Sequence, residues 1–226
     1  MAQLLYERDS SDKHLKAVRR HLRLCTKNAG TKKLTDNITP FYNTLIEKQE
    51  ATKVAEEARE NAHDDVTFED SALDDCIRNV FDHCEIYERN NLAERALVKV
   101  FPDKKYGDIV RMPVQDEPNA AEQIAVRIEN LGESHDLFKY ASVLRDCIKK
   151  VRDAINGYKE SIKEQKIAEA EEEIAKADLR MQYENNYLDA RKEFGKVLAE
   201  RLFPSLSSRR HKITVEEEGT EEGTEQ

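Results

Sequence analysis

From Leu137 to Ile162 the apolar residues Leu137, Ala141, Leu144, Ile148, Val151, Ile155, Tyr158 and Ile162 recur at alternating steps of four and three. A helix turns once every 3.6 residues, so this spacing gathers them on one face. Sustained for roughly three and a half repeats, it is a heptad seam. A seam of that length cannot stay in water unpartnered. It requires a second helix, from within the chain or from another copy.

Composition extends the helical reading to the rest of the chain. Of 226 residues, 37% are charged and 38% hydrophobic, with 7 Gly, 5 Pro and no Trp. Abundant Ala, Glu, Lys and Leu with few breakers favours long helices. No stretch alternates apolar and polar residues for long, as a half-buried strand would. An all-α chain is expected. No apolar run reaches the length of a membrane span, and "MAQLLYERDSSDKHLK" lacks the apolar core of a secretory leader. The cysteines, Cys25, Cys76, Cys84 and Cys147, form no Cys-x-x-Cys pair and no disulfide-like spacing. Cys76, Cys84 and Cys147 fall on expected apolar faces, where a free thiol acts as a small hydrophobe. Together these features lead to an expectation of a cytoplasmic protein without a membrane span.

The first helix is expected over Ser11 to Asn28, with Leu15, Val18, Leu22 and Cys25 on one face and Gly30 as its stop. A second begins at Thr39-Pro40, where Thr can cap and Pro fits the first helical position. "HDDVTFED", residues 63–70, reads as a turn in which Thr67 caps a third helix. That helix turns Leu73, Ile77, Val80, Cys84 and Tyr87 inward, continues through Leu92 and Leu97, and stops at Phe101-Pro102. An irregular link follows over 102–119, where Pro113 argues against a central strand. A short helix then carries Ile124, Ile128 and Leu131, closed by Gly132. Beyond the seam, a tight turn is expected near 163–176, with one continuous helix as the alternative, because no Gly or Pro lies between Gly157 and Gly195. Apolar positions return at Leu179, Tyr183, Tyr187, Ala190, Phe194 and Val197, ending at Phe203-Pro204.

Sliding the chain by 102 residues aligns Phe81–Pro102 with Tyr183–Pro204, matching Arg89/Arg191, Phe101/Phe203 and Pro102/Pro204. An offset of 110 matches Leu34/Leu144, Asp36/Asp146, Ile38/Ile148 and Glu50/Glu160. The offsets differ by about the length of "HDDVTFED". The expected architecture is therefore an antiparallel four-helix-bundle-like core made from two duplicated helical hairpins, 34–102 and 137–204, the second alternatively one long coiled-coil helix. A basic helical segment precedes them over 1–33, a linker with a short helix joins them over 103–136, and a disordered acidic tail follows over 205–226.

Helical bundles often hold metal, and the di-iron pattern calls for Glu-x-x-His from two helices. Glu60-Asn61-Ala62-His63 is the only such match, at an expected helix end, and His83 has Val80 at the corresponding position. His83-Cys84 are sequence neighbours, pointing about 100° apart on a helix, with no third group to orient them. They read as a core Cys beside a solvent-edge His. Zinc needs clustered Cys and His, phosphate loops need closely spaced glycines, and neither pattern occurs. No catalytic, cofactor-binding or metal residues are assigned, and no cofactor is expected.

Charge is unevenly spread. Residues 1–33 hold nine Lys/Arg against three acids, leaving the remainder net negative by about fifteen. "KHLKAVRRHLRLCTK" is a basic amphipathic helix with Lys16, Arg19, Arg20 and Arg23 as its partner-contact face. An acidic protein surface, in cis or in trans, suits this face better than nucleic acid, since few exposed aromatics accompany it. From Val215 onward the chain has six Glu and no basic residue. The expected function is a non-enzymatic structural or interaction protein acting through self-assembly or by docking on a larger protein complex. The alternatives are a metal- or cofactor-holding helical bundle, and a nucleic-acid-associated accessory protein using the basic helix.

Overall fold

The computed structural model describes residues 4–103 and 105–203. Among these, five helices and no strand occur: α1 Ser11–Cys25, α2 Lys32–Asn90, α3 Ala96–Val100, α4 Glu117–Glu129 and α5 Lys139–Leu202. The all-α expectation holds. Pro204 and the acidic tail lie outside the described residues.

Two long helices replace the expected hairpins. Residues 63–70 are helical, and Thr67 does not cap: its hydroxyl donates back to the His63 carbonyl, 3.1 Å away. Val66 is buried there, and no Gly or Pro lies between Pro40 and Pro102 to break the chain. Polar residues alone do not stop a helix that has a buried position to keep. The turn expected near 163–176 is helical as well, within a run rich in Ala and Glu. The one departure inside α5 is Gly195, at φ 79° and ψ 169°.

Other boundaries also move. α2 begins at Lys32, leaving Pro40 inside it. An interior Pro costs a helix about 3 kcal/mol, and burial of Leu34 and Ile38 on the preceding turns offsets this. At the other end α2 stops at Asn90 rather than continuing to Phe101. Arg95 takes a left-handed conformation, φ 48°, and α3 restarts the helix with its Leu97 N–H donating to the Glu88 carboxylate at 2.8 Å.

The chain divides into two compact units. The boundaries fall inside α2 and α5, so 34–102 and 137–204 each contribute to both. The first unit comprises residues up to Ile46 and from Ile174 onward. Its core joins Leu15, Val18 and Cys25 of α1, Leu34, Ile38 and Leu45 of α2, and Leu179, Tyr183, Leu202 and Phe203. The buried Asn186 amide donates to the Leu34 carbonyl at 2.7 Å, tying α5 to α2. Tyr183 meets Phe203 edge to face, with centroids 4.9 Å apart and planes at 71°.

The second unit spans Glu47–Glu173. Here α2 and α5 run antiparallel: Lys48 pairs with Glu171, His63 meets Tyr158 edge to face, Cys76 meets Cys147 and His83 stacks on Tyr140. The seam residues Leu137, Ala141, Leu144, Ile148 and Val151 pack with Leu73, Ile77, Val80 and Cys84 of α2 and with Ala121, Ile124 and Ile128 of α4. The required partner helix thus comes from the same chain. Phe81 meets Phe101 edge to face at 5.2 Å and 72°. Arg145 of α5 bridges Glu122 and Glu129 of α4, fixing α4 in place.

Candidate interaction surface

α1 has a well-defined start. The Ser10 hydroxyl accepts from the Lys13 N–H, and Asp12 sits in the first turn while Arg23 sits in the last, each charge opposite to the helix dipole's local end. Leu15, Val18, His21 and Cys25 are buried. That fixes the rotation of the helix and turns Lys16, Arg19, Arg20 and Arg23 to the opposite side. Among the described residues, these four side chains line one cavity of about 330 Å³. Lys16, Arg19 and Arg23 are exposed and Arg20 is half-buried. Arg19 Nε donates to the Tyr42 hydroxyl at 3.2 Å, which steadies one guanidinium without neutralising it.

Beneath this face lie two histidines. The ring of His21 packs 4.1 Å from that of Phe203, and its Nδ1–H donates to the Leu202 carbonyl at 3.1 Å. A carbonyl only accepts, so Nδ1 carries the hydrogen. Burial pushes the His21 pKa down to about 4, against a smaller opposing pull from that hydrogen bond. His14 is lowered too, chiefly by burial, with Lys176 and Arg180 adding to it. Both rings are neutral at pH 7, so the positive field of α1 comes from its Lys and Arg side chains. Cys25 lies 3.6 Å from His21 Nε2, a thiol–imidazole contact across one helical turn. Burial pushes this thiol up to about 11, which keeps it protonated and unreactive. The sequence places Cys25 on the apolar face of α1, and the structure adds the buried His21 beside it.

The second unit holds a different cluster. Glu117 opens α4 and is 1% exposed, facing Asp70 and Asp74, one turn apart on α2. One oxygen of each of the three lacks a donor, while the other Asp74 oxygen accepts from Arg78. Burial first, then the neighbouring Asp74 and Asp70, push Glu117 up to about 8. Asp70 is raised as well, mainly by burial. A retained proton supplies the missing donor, so Glu117 is the acid that stays neutral at pH 7. Among the described residues no group of three or more His, Cys, Asp or Glu side chains is arranged to hold a metal ion. Glu60 and His63 line an open cavity with Arg59, Asp64 and Tyr158, where an exposed imidazole faces mixed charges.

The cysteine expectation needs correction. Cys76 and Cys147 are joined as a disulfide across 71 residues of sequence. Cys25 and Cys84 are free and buried. Sequence spacing hid the pair because two long antiparallel helices bring remote positions together. Cys84 is fully buried beside an exposed His83, as expected, and its thiol is pushed up to about 12 by burial.

A further surface runs along α5. Ile174, Met181 and Leu188 follow one another at seven-residue steps and are 63%, 57% and 60% exposed. No helix among the described residues is long and apolar enough to cross a membrane. Compared with models of protein families, with curated proteins and with solved structures, the chain matches none.

Proposed function

We propose that this chain is a non-enzymatic helical interaction protein that docks on an acidic protein partner through the basic face of α1. One observation carries the reading: among the described residues, the exposed Lys16, Arg19 and Arg23 gather with Arg20 around a single cavity. Charged side chains so grouped repel one another, and an acidic ligand relieves that repulsion. A fluorescent polyglutamate peptide titrated into the full chain tests it. Binding at low salt that weakens steeply by ~0.5 M salt, as screening requires, and that disappears in Arg19→Glu/Arg23→Glu, is the expected result. Equal affinity for that variant, with unchanged circular dichroism, removes the reading.

A second reading, self-assembly, is favoured by the exposed heptad steps of Ile174, Met181 and Leu188. Apolar positions at this period suit a coiled-coil contact with a second copy. Light scattering across a concentration series should then show a dimer that Met181→Glu abolishes; a monomer at all concentrations excludes it.

The two units also read as copies of one ancestral piece, although not as folded hairpins. Support comes from Phe81/Phe101 and Tyr183/Phe203, which the 102-residue offset superimposes and which adopt nearly the same edge-to-face geometry. The 110-residue offset likewise pairs buried Leu34 with Leu144 and Ile38 with Ile148.

A further inference from the structure

We infer that α4 is a proton-held clasp: its first turn stays on α2 while Glu117 shares a proton with Asp70 and Asp74, and lifts away when that proton is lost. The device lies wholly within the second unit and is independent of the basic face of α1.

Geometry supports it first. Glu117 begins α4 and is 1% exposed, so its carboxyl reaches water only if the helix end moves. It meets Asp70 and Asp74 of α2, and one oxygen of each of the three is buried without a hydrogen-bond partner. An ionised carboxylate only accepts, so three of them cannot satisfy one another. A proton kept on Glu117 turns one acceptor into a donor and closes the contact.

The charges that press on Glu117 come from α2, where Asp74 and Asp70 both oppose its ionisation. Arg78 lies beyond them, donating to the other Asp74 oxygen at 2.9 Å and to Asp75 at 2.8 Å. From α5, Arg152 donates to Asn119 at 3.1 Å and Arg145 to Glu129 at 2.9 Å, both further along α4. In the segment before α4, Asp116 is exposed.

The two ends of α4 are therefore held by different chemistry. Arg145 pairs with Glu122 and Glu129, and Arg127 donates to the Val100 carbonyl at 3.3 Å. Those groups keep their charges between pH 6 and 9. Glu117 does not, because burial and the two aspartates raise it from 4.5 to about 8. Losing its proton puts three negative charges together at one end of α4 while the other end stays tied. Lifting that end uncovers Leu73 and Ile77 of α2 and Ala121 of α4, all fully buried in the closed form.

The open form, with Glu117 in water, releases its proton near the ordinary value. Closure is thus fully favoured below about pH 4.5, and that advantage is lost as pH rises to about 8. Within this window each pH unit multiplies the open-to-closed ratio about tenfold.

Hydrogen exchange of the full chain at pH 6, 7 and 8, corrected for the intrinsic pH dependence of exchange, tests the clasp. Opening at residues 119–121 should rise about tenfold from pH 6 to pH 7 and level off above pH 8, with residues 122–129 changed less. A dye that fluoresces on apolar surface should brighten over the same range. Glu117→Gln keeps a donor in the cluster and should stay closed through pH 9. Should that variant fail to fold, Asp70→Asn serves, since removing one opposing charge should lower the midpoint of the Glu117 carboxyl carbon resonance. An equal rise in exchange throughout residues 47–173 overturns the clasp, because the whole unit is then opening. A Glu117→Gln variant that opens with the native pH dependence overturns it too, as does a native Glu117 resonance that titrates near 4.5.

Discussion

The two units build similar cores and bury opposite chemistry. Each carries an edge-to-face aromatic pair, Tyr183 with Phe203 in one and Phe81 with Phe101 in the other. The first unit buries two neutral bases, His14 and His21, under a helix with an exposed basic face. The second buries an acid, Glu117, under α4, whose charged residues Glu122 and Glu129 are engaged by Arg145. The second also holds the disulfide. The first unit therefore keeps exposed Lys and Arg side chains on α1, whereas in the second Arg145 of α5 engages Glu122 and Glu129 and holds α4 in place.

The largest effects should come from the cores. Ile148→Asp, at a position 1% exposed, should cost about 5 kcal/mol by burying an unpaired charge, and Ile38→Asp in the first unit should cost a similar amount. Urea unfolding followed by circular dichroism measures both. A small shift for one and a large shift for the other would break the likeness between the cores.

Reducing the Cys76–Cys147 bond should follow in size. Closing a loop of this length restricts the unfolded chain by about 4 kcal/mol. The loss should appear as faster hydrogen exchange in residues 47–173, with residues 11–45 changed less. Uniform loss across both would show that the bond does not belong to one unit.

The pH dependences should run in opposite directions. Glu117 titrates near 8 in the folded state, above its ordinary 4.5. The unfolded chain releases that proton first, so the second unit should lose stability as pH rises from about 4.5 to 8, by up to about 5 kcal/mol. Glu117→Gln should flatten that slope. His21 titrates near 4, below its ordinary 6.5. The unfolded state binds that proton first, so the first unit should weaken as pH falls from about 6.5 to 4, by a somewhat smaller amount. Hydrogen exchange at pH 5 and pH 8 reads both. Parallel changes in the two units would end the contrast.

Smallest of all should be the stability effect of Arg19→Glu/Arg23→Glu, within roughly 0.5 kcal/mol because both side chains are exposed. The same variant should abolish peptide binding. A large loss of stability would recast the basic face as a structural contact.

Periodicity carried the interior of the fold well. Leu137, Leu144, Ile148 and Val151 are buried as the seam required, because a 3–4 repeat reports directly on which face meets a core. Ends and turns were less legible. "HDDVTFED" resembles a turn in composition, yet Val66 is buried and the helix runs through. Pro40 resembles a start, yet Leu34 and Ile38 extend the helix before it. Local composition describes what a segment tolerates, whereas the packing partner decides. The basic face was readable for the same reason as the seam, since Lys16, Arg19, Arg20 and Arg23 follow helical spacing. Glu117 beside Asp70 and Asp74, and Cys76 beside Cys147, depend on contacts between remote segments. No local pattern encodes those.

Hydrogen exchange of the full chain, with and without polyglutamate peptide at pH 7 and low salt, tests most directly whether docking belongs to one unit. Protection confined to α1 and the residues packed on it is the predicted result. Protection within residues 47–173, with α1 unchanged, would contradict it.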